Sequence, residues 1–204
     1  MTGRTPHARD YAWLRERHRS LREAYCITLV SEIAPEPLLQ RLGAEAGTEV
    51  TGVGGLFEPA FDTWEEHQGR ELFVAAAAVG GWSVLVEVNG YLGVTSAAVR
   101  PLSRGRTVVA HHRSVDALDH FIWLADGELI LGFEPLFPYR REGSRAEAFA
   151  PRMRESGFLL CPGQDLDHQH TEAAFALAER ITGIRLTADT LDSLEFVCGR
   201  APAP

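Results

Sequence analysis

The chain has no lysine; all 20 of its cationic residues are arginine. This reads first as a trace of GC-rich coding. It reads second as a preference for the planar, two-pronged contacts that guanidinium makes with carboxylate or phosphate. Cysteine is scarce as well. Cys26, Cys161 and Cys198 stand far apart, odd in number and without CxxC or zinc-type spacing. That pattern argues against a structural zinc site and against a disulfide framework. Cys26 and Cys198 lie in apolar runs, where buried and unreactive thiols are the ordinary occupants. No apolar run is long enough to cross a membrane. The longest, LFVAAAAVGGWSVLVEV, is broken by Gly80-Gly81 and ends in charge, so it predicts two strands. The opening residues lack the apolar core of a signal peptide, and the expected compartment is the cytoplasm. Excess positive charge is missing too: the net charge is −8. A nucleic-acid partner is therefore not expected, since that affinity rests on neutralising phosphates.

Signature motifs are equally absent. There is no GxSxG elbow, no HExxH, no P-loop and no kinase-like set. Gly52-Val53-Gly54-Gly55 lacks the spacing and the following Lys-Ser/Thr of a phosphate loop, so it reads as a mobile or packed loop. No cofactor is expected, and the balance leans away from an enzyme.

What is present is an ordinary globular composition, 45% apolar and 24% charged over 204 residues, enough for one sizeable core. An amphipathic helix is predicted from about Asp10 to Arg22, carrying Tyr11, Leu14, His18 and Leu21 on one stripe. AYCITLV follows as a strand, then a short helix with Pro35 or Pro37 in its first turn and Gly43 near its end. Gly80-Gly81 joins two strands as a hairpin. In the second, Trp82, Val84, Val86 and Val88 alternate with Ser83, Leu85 and Glu87, which predicts one covered and one mixed face. Thr95 or Ser96 is set to cap a helix, RTVVAHHRS is a strand, and Ser144 with Glu147 has capping-box spacing before a helix that Pro151 should kink. Thr171 should cap the next helix, which Gly183 ends. The fold class is α+β: a mostly antiparallel central sheet with flanking helices. It forms a single domain over residues 8–198, with flexible tails at 1–7 and 199–204.

The segment FIWLADGELILGFEPLFPYRREG is the most informative. Asp126-Gly127 is a two-residue turn signal. Regular pairing across it sets Ala125 opposite Glu128, Trp123 opposite Ile130 and Phe121 opposite Gly132. Both faces are apolar, so this hairpin should be buried scaffold, with Pro135 and Pro138 ending it. Beyond Phe133, Glu134, Phe137, Tyr139, Arg140 and Arg141 form a sheet-end loop, where binding groups are often found. An ion pair between the arginines and Glu134 is the structural alternative.

Three other groups bear chemistry. Asp165, Asp167, His168 and His170, with Cys161 upstream, are competent metal ligands crowded into one loop. They also make sense as the acidic lead-in to a helix. His111 and His112 face opposite ways on a strand, and Asp116 or Asp119 is placed to orient one of them as a general base. FDTWEEHQ sets Phe61 and Trp64 among Asp62, Glu65 and Glu66, with His67 beside them; a solvated acidic helix or loop is the ordinary explanation, and a protein-binding edge is the other.

The pattern Phe121, Trp123, Asp126-Gly127, then Phe133 to Pro138 and Arg140 or Arg141, resembles an uncharacterised actinobacterial family, a domain of unknown function. GWSVLVEVNGYLG, YCITLV and ALAERITGIRLT resemble it as well. The resemblance spans about Tyr11 to Leu194 and implies a shared fold, with no catalytic residue attached to it. The function expected from the sequence is a non-catalytic interaction or regulatory module, such as an immunity-like binder of a toxin or effector. Its candidate contact residues are Trp64, Glu134, Phe137, Tyr139, Arg140 and Arg141. The alternative is a metal-assisted enzyme using the 165–170 loop with His111 or His112.

Overall fold

The computed structural model describes residues 4–162 and 169–204. Its strands are β1 (Tyr25–Ser31), β2 (Glu49–Thr51), β3 (Glu71–Val79), β4 (Trp82–Val88), β5 (Thr107–Arg113), β6 (Asp119–Ala125), β7 (Glu128–Phe133), β8 (Arg141–Glu142) and β9 (Glu195–Pro202). They form one sheet in the order β2-β9-β3-β4-β1-β5-β6-β7-β8. Every neighbouring pair is antiparallel. The α+β class read from the sequence is the observed one.

The helices are α1 (Trp13–Glu16), α2 (Arg19–Glu23), α3 (Pro35–Arg41), α4 (Phe57–His67), α5 (Ser96–Leu102), α6 (Ala146–Ser156), α7 (His170–Thr182) and α8 (Ala188–Ser193). The helix expected over residues 10–22 is broken into a 3-10 turn, α1 and α2, because His18 leaves helical geometry at φ −122°, ψ 48°. Its stripe survives the break, and Tyr11, Leu14 and Leu21 are all buried.

Both faces of the sheet are covered, which corrects the expectation of one mixed face. Val84 and Val86 pack with Tyr25, Ile27 and Phe175 on one side. Leu85 packs with Leu38, Leu39, Val99 and Leu102 of α3 and α5 on the other. Ser83 and Glu87, the polar residues of that second face, are fully buried. The Ser83 hydroxyl is satisfied by the carbonyl of Ile33 at 2.6 Å.

The Asp126-Gly127 turn forms as predicted, with both residues at positive φ. Ala125 pairs with Glu128 and Leu124 with Leu129, but a bulge then shifts the register. Trp123 pairs with Leu131 and Phe121 with Phe133, leaving Ile130 as the extra residue. The helix starts also differ from expectation. The Thr95 hydroxyl donates to the Tyr91 carbonyl instead of capping α5. Ser144 gives its backbone N–H to the Leu129 carbonyl, so Arg145 takes the N-cap position of α6 without a side-chain bond. Thr171 lies inside α7, which starts at His170 and ends at Gly183 with φ 75°. The α6 helix runs on through Pro151, on a side exposed to water.

β9 continues to Pro202, pairing Arg200, Ala201 and Pro202 with β3, and it sits inside the sheet. At the other terminus, Arg4 pairs with Asp10, and the Pro6 carbonyl accepts from Arg180.

Candidate functional site

The two ends of the sheet differ. One carries the tight hairpins at Gly80-Gly81 and Asp126-Gly127. At the other, where β1, β3 and β6 begin and β4, β5 and β7 finish, the connections are longer. This loop end gathers most of the residues singled out in the sequence.

Inside it lies a buried polar network. Asp119 opens β6 with a fully buried side chain. Both of its oxygens lie 3.0 Å from Arg113 Nη1, and Oδ2 is 3.2 Å from His170 Nε2. His111 Nε2 is 3.9 Å from the same oxygen, while its Nδ1 is 2.8 Å from the Tyr25 hydroxyl. Burial pushes His111 down to about 3, so its ring is neutral near pH 7. Burial likewise holds Tyr25 protonated, its pKa well above the usual value. The consistent arrangement has the Tyr25 O–H donating to Nδ1 and the remaining imidazole proton directed at Asp119. For Asp119, burial favours the neutral acid, but the hydrogen bond from His170 and the charge of Arg113 outweigh it. Its carboxyl titrates below the usual aspartate range.

A second buried carboxylate, Glu172 in the first turn of α7, accepts from Arg15 Nε, and Arg22 Nε lies 3.7 Å away. The helix dipole favours an anion at that position. Together these groups tie the N-terminal helices, β1, β5, β6 and the start of α7 into one clamp. Within it His111 is neutral and Tyr25 protonated near pH 7.

Glu87 makes a third buried site on the opposite face. Its oxygens accept the backbone N–H groups of Leu92 at 2.8 Å and Gly93 at 2.9 Å, and so hold the loop that leaves β4. Burial pushes its pKa up to about 7 against the downward pull of those donors. Gly93 is required there: a Cβ would lie 1.9 Å from Thr28 Oγ1 and 2.7 Å from Cys26 Sγ.

The structure distributes the sequence candidates unevenly. Of the two aspartates and two histidines weighed as partners, Asp119 and His111 approach each other, and His170 joins them at Asp119, whereas His112 is half-buried on the opposite face, beside His120. Asp165, Asp167 and His168 lie outside the described residues. Among the described residues no group of three or more His, Cys, Asp or Glu is arranged to hold a metal ion. Arg141 does not pair with Glu134. It binds Glu147 at 2.7 Å and the Pro138 carbonyl at 3.4 Å, which fastens β8 to α6. Glu134 instead accepts the Asp119 N–H at 3.4 Å. Phe137 is exposed and packs edge-on against Tyr139, over which Arg140 lies at 5.8 Å. Trp64 borders Glu71, Leu72 and Phe73 of β3. β3 and β7 are five strand positions, about 24 Å, apart, so Trp64 on the helix before β3 and Phe137 in the loop after β7 are set at separate places along this end.

The clamp residues Arg113, Glu172, Arg15 and Tyr25 were not expected from the sequence. One signal was available for Arg113: it lies two residues after His111 and so shares its face of the strand.

On the surface, six large apolar residues among those described are strongly exposed: Phe61, Trp64, Tyr91, Val115, Leu118 and Phe137. All six belong to this end of the sheet. Phe61 and Trp64 are on α4, which leads into β3; Tyr91 follows β4; Val115 and Leu118 join β5 to β6; Phe137 follows β7.

No helix among the described residues is long and apolar enough to cross a membrane. Comparison with curated proteins and with solved structures finds no match. The profile of a family of unknown function, DUF6461, matches residues 4–204, nearly the whole chain, and the protein belongs to that family.

Proposed function

We propose that the protein is a non-catalytic binding module that takes its partner, another protein, on the loop end of its sheet. The observation that carries this reading is the segregation of exposed apolar side chains. Val115 is 71% exposed, Leu118 63%, Phe61 54% and Trp64 49%, and all belong to the loop end, while the hairpin end has none among the described residues. Scattered apolar exposure is normal, but exposure gathered on one end marks an interaction surface. The buried clamp beneath supports the same reading, because it fixes the loops from below and lowers the ordering cost of binding. An acidic chain of this kind suits a basic partner, as an immunity-like binder of a toxin or effector would need.

The test is capture of partners from a lysate of the source organism by the immobilised chain, with identification by mass spectrometry. A triple variant, Trp64→Ala, Leu118→Ser and Phe137→Ala, should lose the captured protein. Arg104→Ala with Glu128→Ala, at the hairpin end, should keep it. Equal capture by the wild type and the triple variant would refute the reading.

A further inference from the structure

We infer that the outer face of α4 receives a basic, amphipathic segment of the partner protein, gripped by Phe61 and Trp64 and steered by Glu58, Asp62 and Glu65. The inference rests on the binding reading above and narrows it to one helix and one partner chemistry.

The α4 helix turns Ala60 and Thr63 inward and leaves Glu58, Phe61, Asp62, Trp64 and Glu65 exposed. Phe61 and Trp64 are three residues apart and therefore neighbours on the helix surface. They rim a shallow cleft whose floor includes Leu72 and Val88. The indole is already in place. A Cβ on Gly69 would lie 3.0 Å from the six-membered ring of Trp64, so the ring rests on that glycine, which holds φ 74° in the turn before β3. An aromatic held on one side and open on the other loses little freedom when a partner covers it.

The free charges on the outer face of α4 carry one sign, while the cations nearby are engaged: Arg70 Nε donates to the His67 carbonyl, and Arg200 lies 3.7 Å from both Glu66 and Glu71. Glu58, Asp62 and Glu65 have no hydrogen-bond or ion-pair partner among the described residues, whereas Glu66 is engaged by His67 at 3.5 Å and Arg200 at 3.7 Å. Glu58 and Asp62 are four residues apart and Asp62 and Glu65 three, spacings at which like charges destabilise a helix. A cationic partner would relieve that repulsion, and arginine or lysine can also lie over the open face of Trp64. Apolar grip and negative charge on one helical face together call for a partner that alternates apolar and basic residues.

The probe is a fluorescein-labelled helical peptide of about five turns with leucine on one face and arginine on the other. It is titrated against the full chain by fluorescence anisotropy. Two controls share its length: a leucine–glutamate peptide of the same pattern and a serine–arginine peptide of the same charge. Saturable binding of the leucine–arginine peptide is expected, with both controls at least about tenfold weaker. Trp64→Ala should weaken it about tenfold or more, and Asp62→Asn with Glu65→Gln should weaken it and flatten its salt dependence. Arg104→Ala with Glu128→Ala, at the hairpin end, should leave it unchanged. Circular dichroism confirms that each variant is folded.

The inference is overturned by absence of binding, by equal binding of either control, or by equal affinity for the wild type and Trp64→Ala, which would be generic attraction to an acidic surface. Self-association that disappears in Trp64→Ala would overturn it too, by assigning the face to a second copy of the chain. If the peptide fails while the loop-end triple variant still loses its captured partner, the binding reading stands and only the basic-segment inference falls.

Discussion

Replacing Glu87 by glutamine should change the stability of the protein by an amount that depends on pH. The Glu87 carboxyl is fully buried, and burial raises its pKa from 4.5 to about 7. Between these values the unfolded chain has released the proton and the folded chain has kept it, so wild-type stability falls as pH rises through this window. At about 1.4 kcal/mol per pH unit, the loss amounts to about 3 kcal/mol by pH 8. Glutamine does not titrate, and the variant escapes that loss. It has its own defect at every pH: the amide has one acceptor oxygen where the carboxyl has two, so the N–H of Leu92 or Gly93 is left without an acceptor, at about 1–3 kcal/mol. The variant should therefore be less stable than the wild type at pH 4.5, and the difference should shrink or reverse by pH 8. The assay is urea unfolding followed by circular dichroism at several pH values. Taking the difference between the two proteins removes all other titrating groups. Among those is His111, whose depressed pKa makes stability rise with pH between about 3 and 6.5 and masks the Glu87 effect in the wild type alone. A difference that stays constant from pH 4.5 to 8 would refute the reasoning. It would mean that two backbone donors suffice to keep Glu87 ionised in the fold.

Three further outcomes follow from the same physics. Asp119→Ala leaves Arg113 and His170 facing a buried void of charge and should cost about 3–5 kcal/mol in urea unfolding at pH 7. The depressed pKa of Asp119 sets the pH course of that stabilisation: it is complete above the ordinary aspartate range and lost in the wild type as pH falls below it, so the wild type and the variant should converge in acid. Gly93→Ala drives a methyl group into Thr28 and Cys26 and should cost about 3 kcal/mol or more, read as a lowered thermal midpoint. Cys161 is exposed while Cys26 and Cys198 are buried, so a thiol reagent should titrate one cysteine in the native protein and all three in denaturant.

Local signals predicted structure reliably where they were self-contained. Gly80-Gly81 and Asp126-Gly127 fixed two hairpins because each turn demands positive φ, which few other residue pairs supply. The bulge after Leu129 was not legible. With Ile130 and Leu131 both apolar and both faces of the hairpin covered, the side-chain pattern does not distinguish one register from the next. The place of β9 was hidden for a different reason: its glycine and prolines have low strand propensity, and only pairing with β3 makes it a strand. The exposed aromatics of α4 and Phe137 were recognisable because acidic neighbours or prolines surround them. The clamp was not, since Arg113, Glu172 and Arg15 look like solvated charges until the chain folds them against Asp119 and one another.

The sheet is bounded by its two shortest strands, the three residues of β2 and the two of β8. Each border thus offers only a few free backbone N–H and C=O groups to a neighbouring chain. Short borders of this kind guard against end-to-end stacking of sheets into fibrils. They also bear on the proposed binding: an extended peptide has almost no edge to extend, so a partner of the kind proposed would be read by side chains.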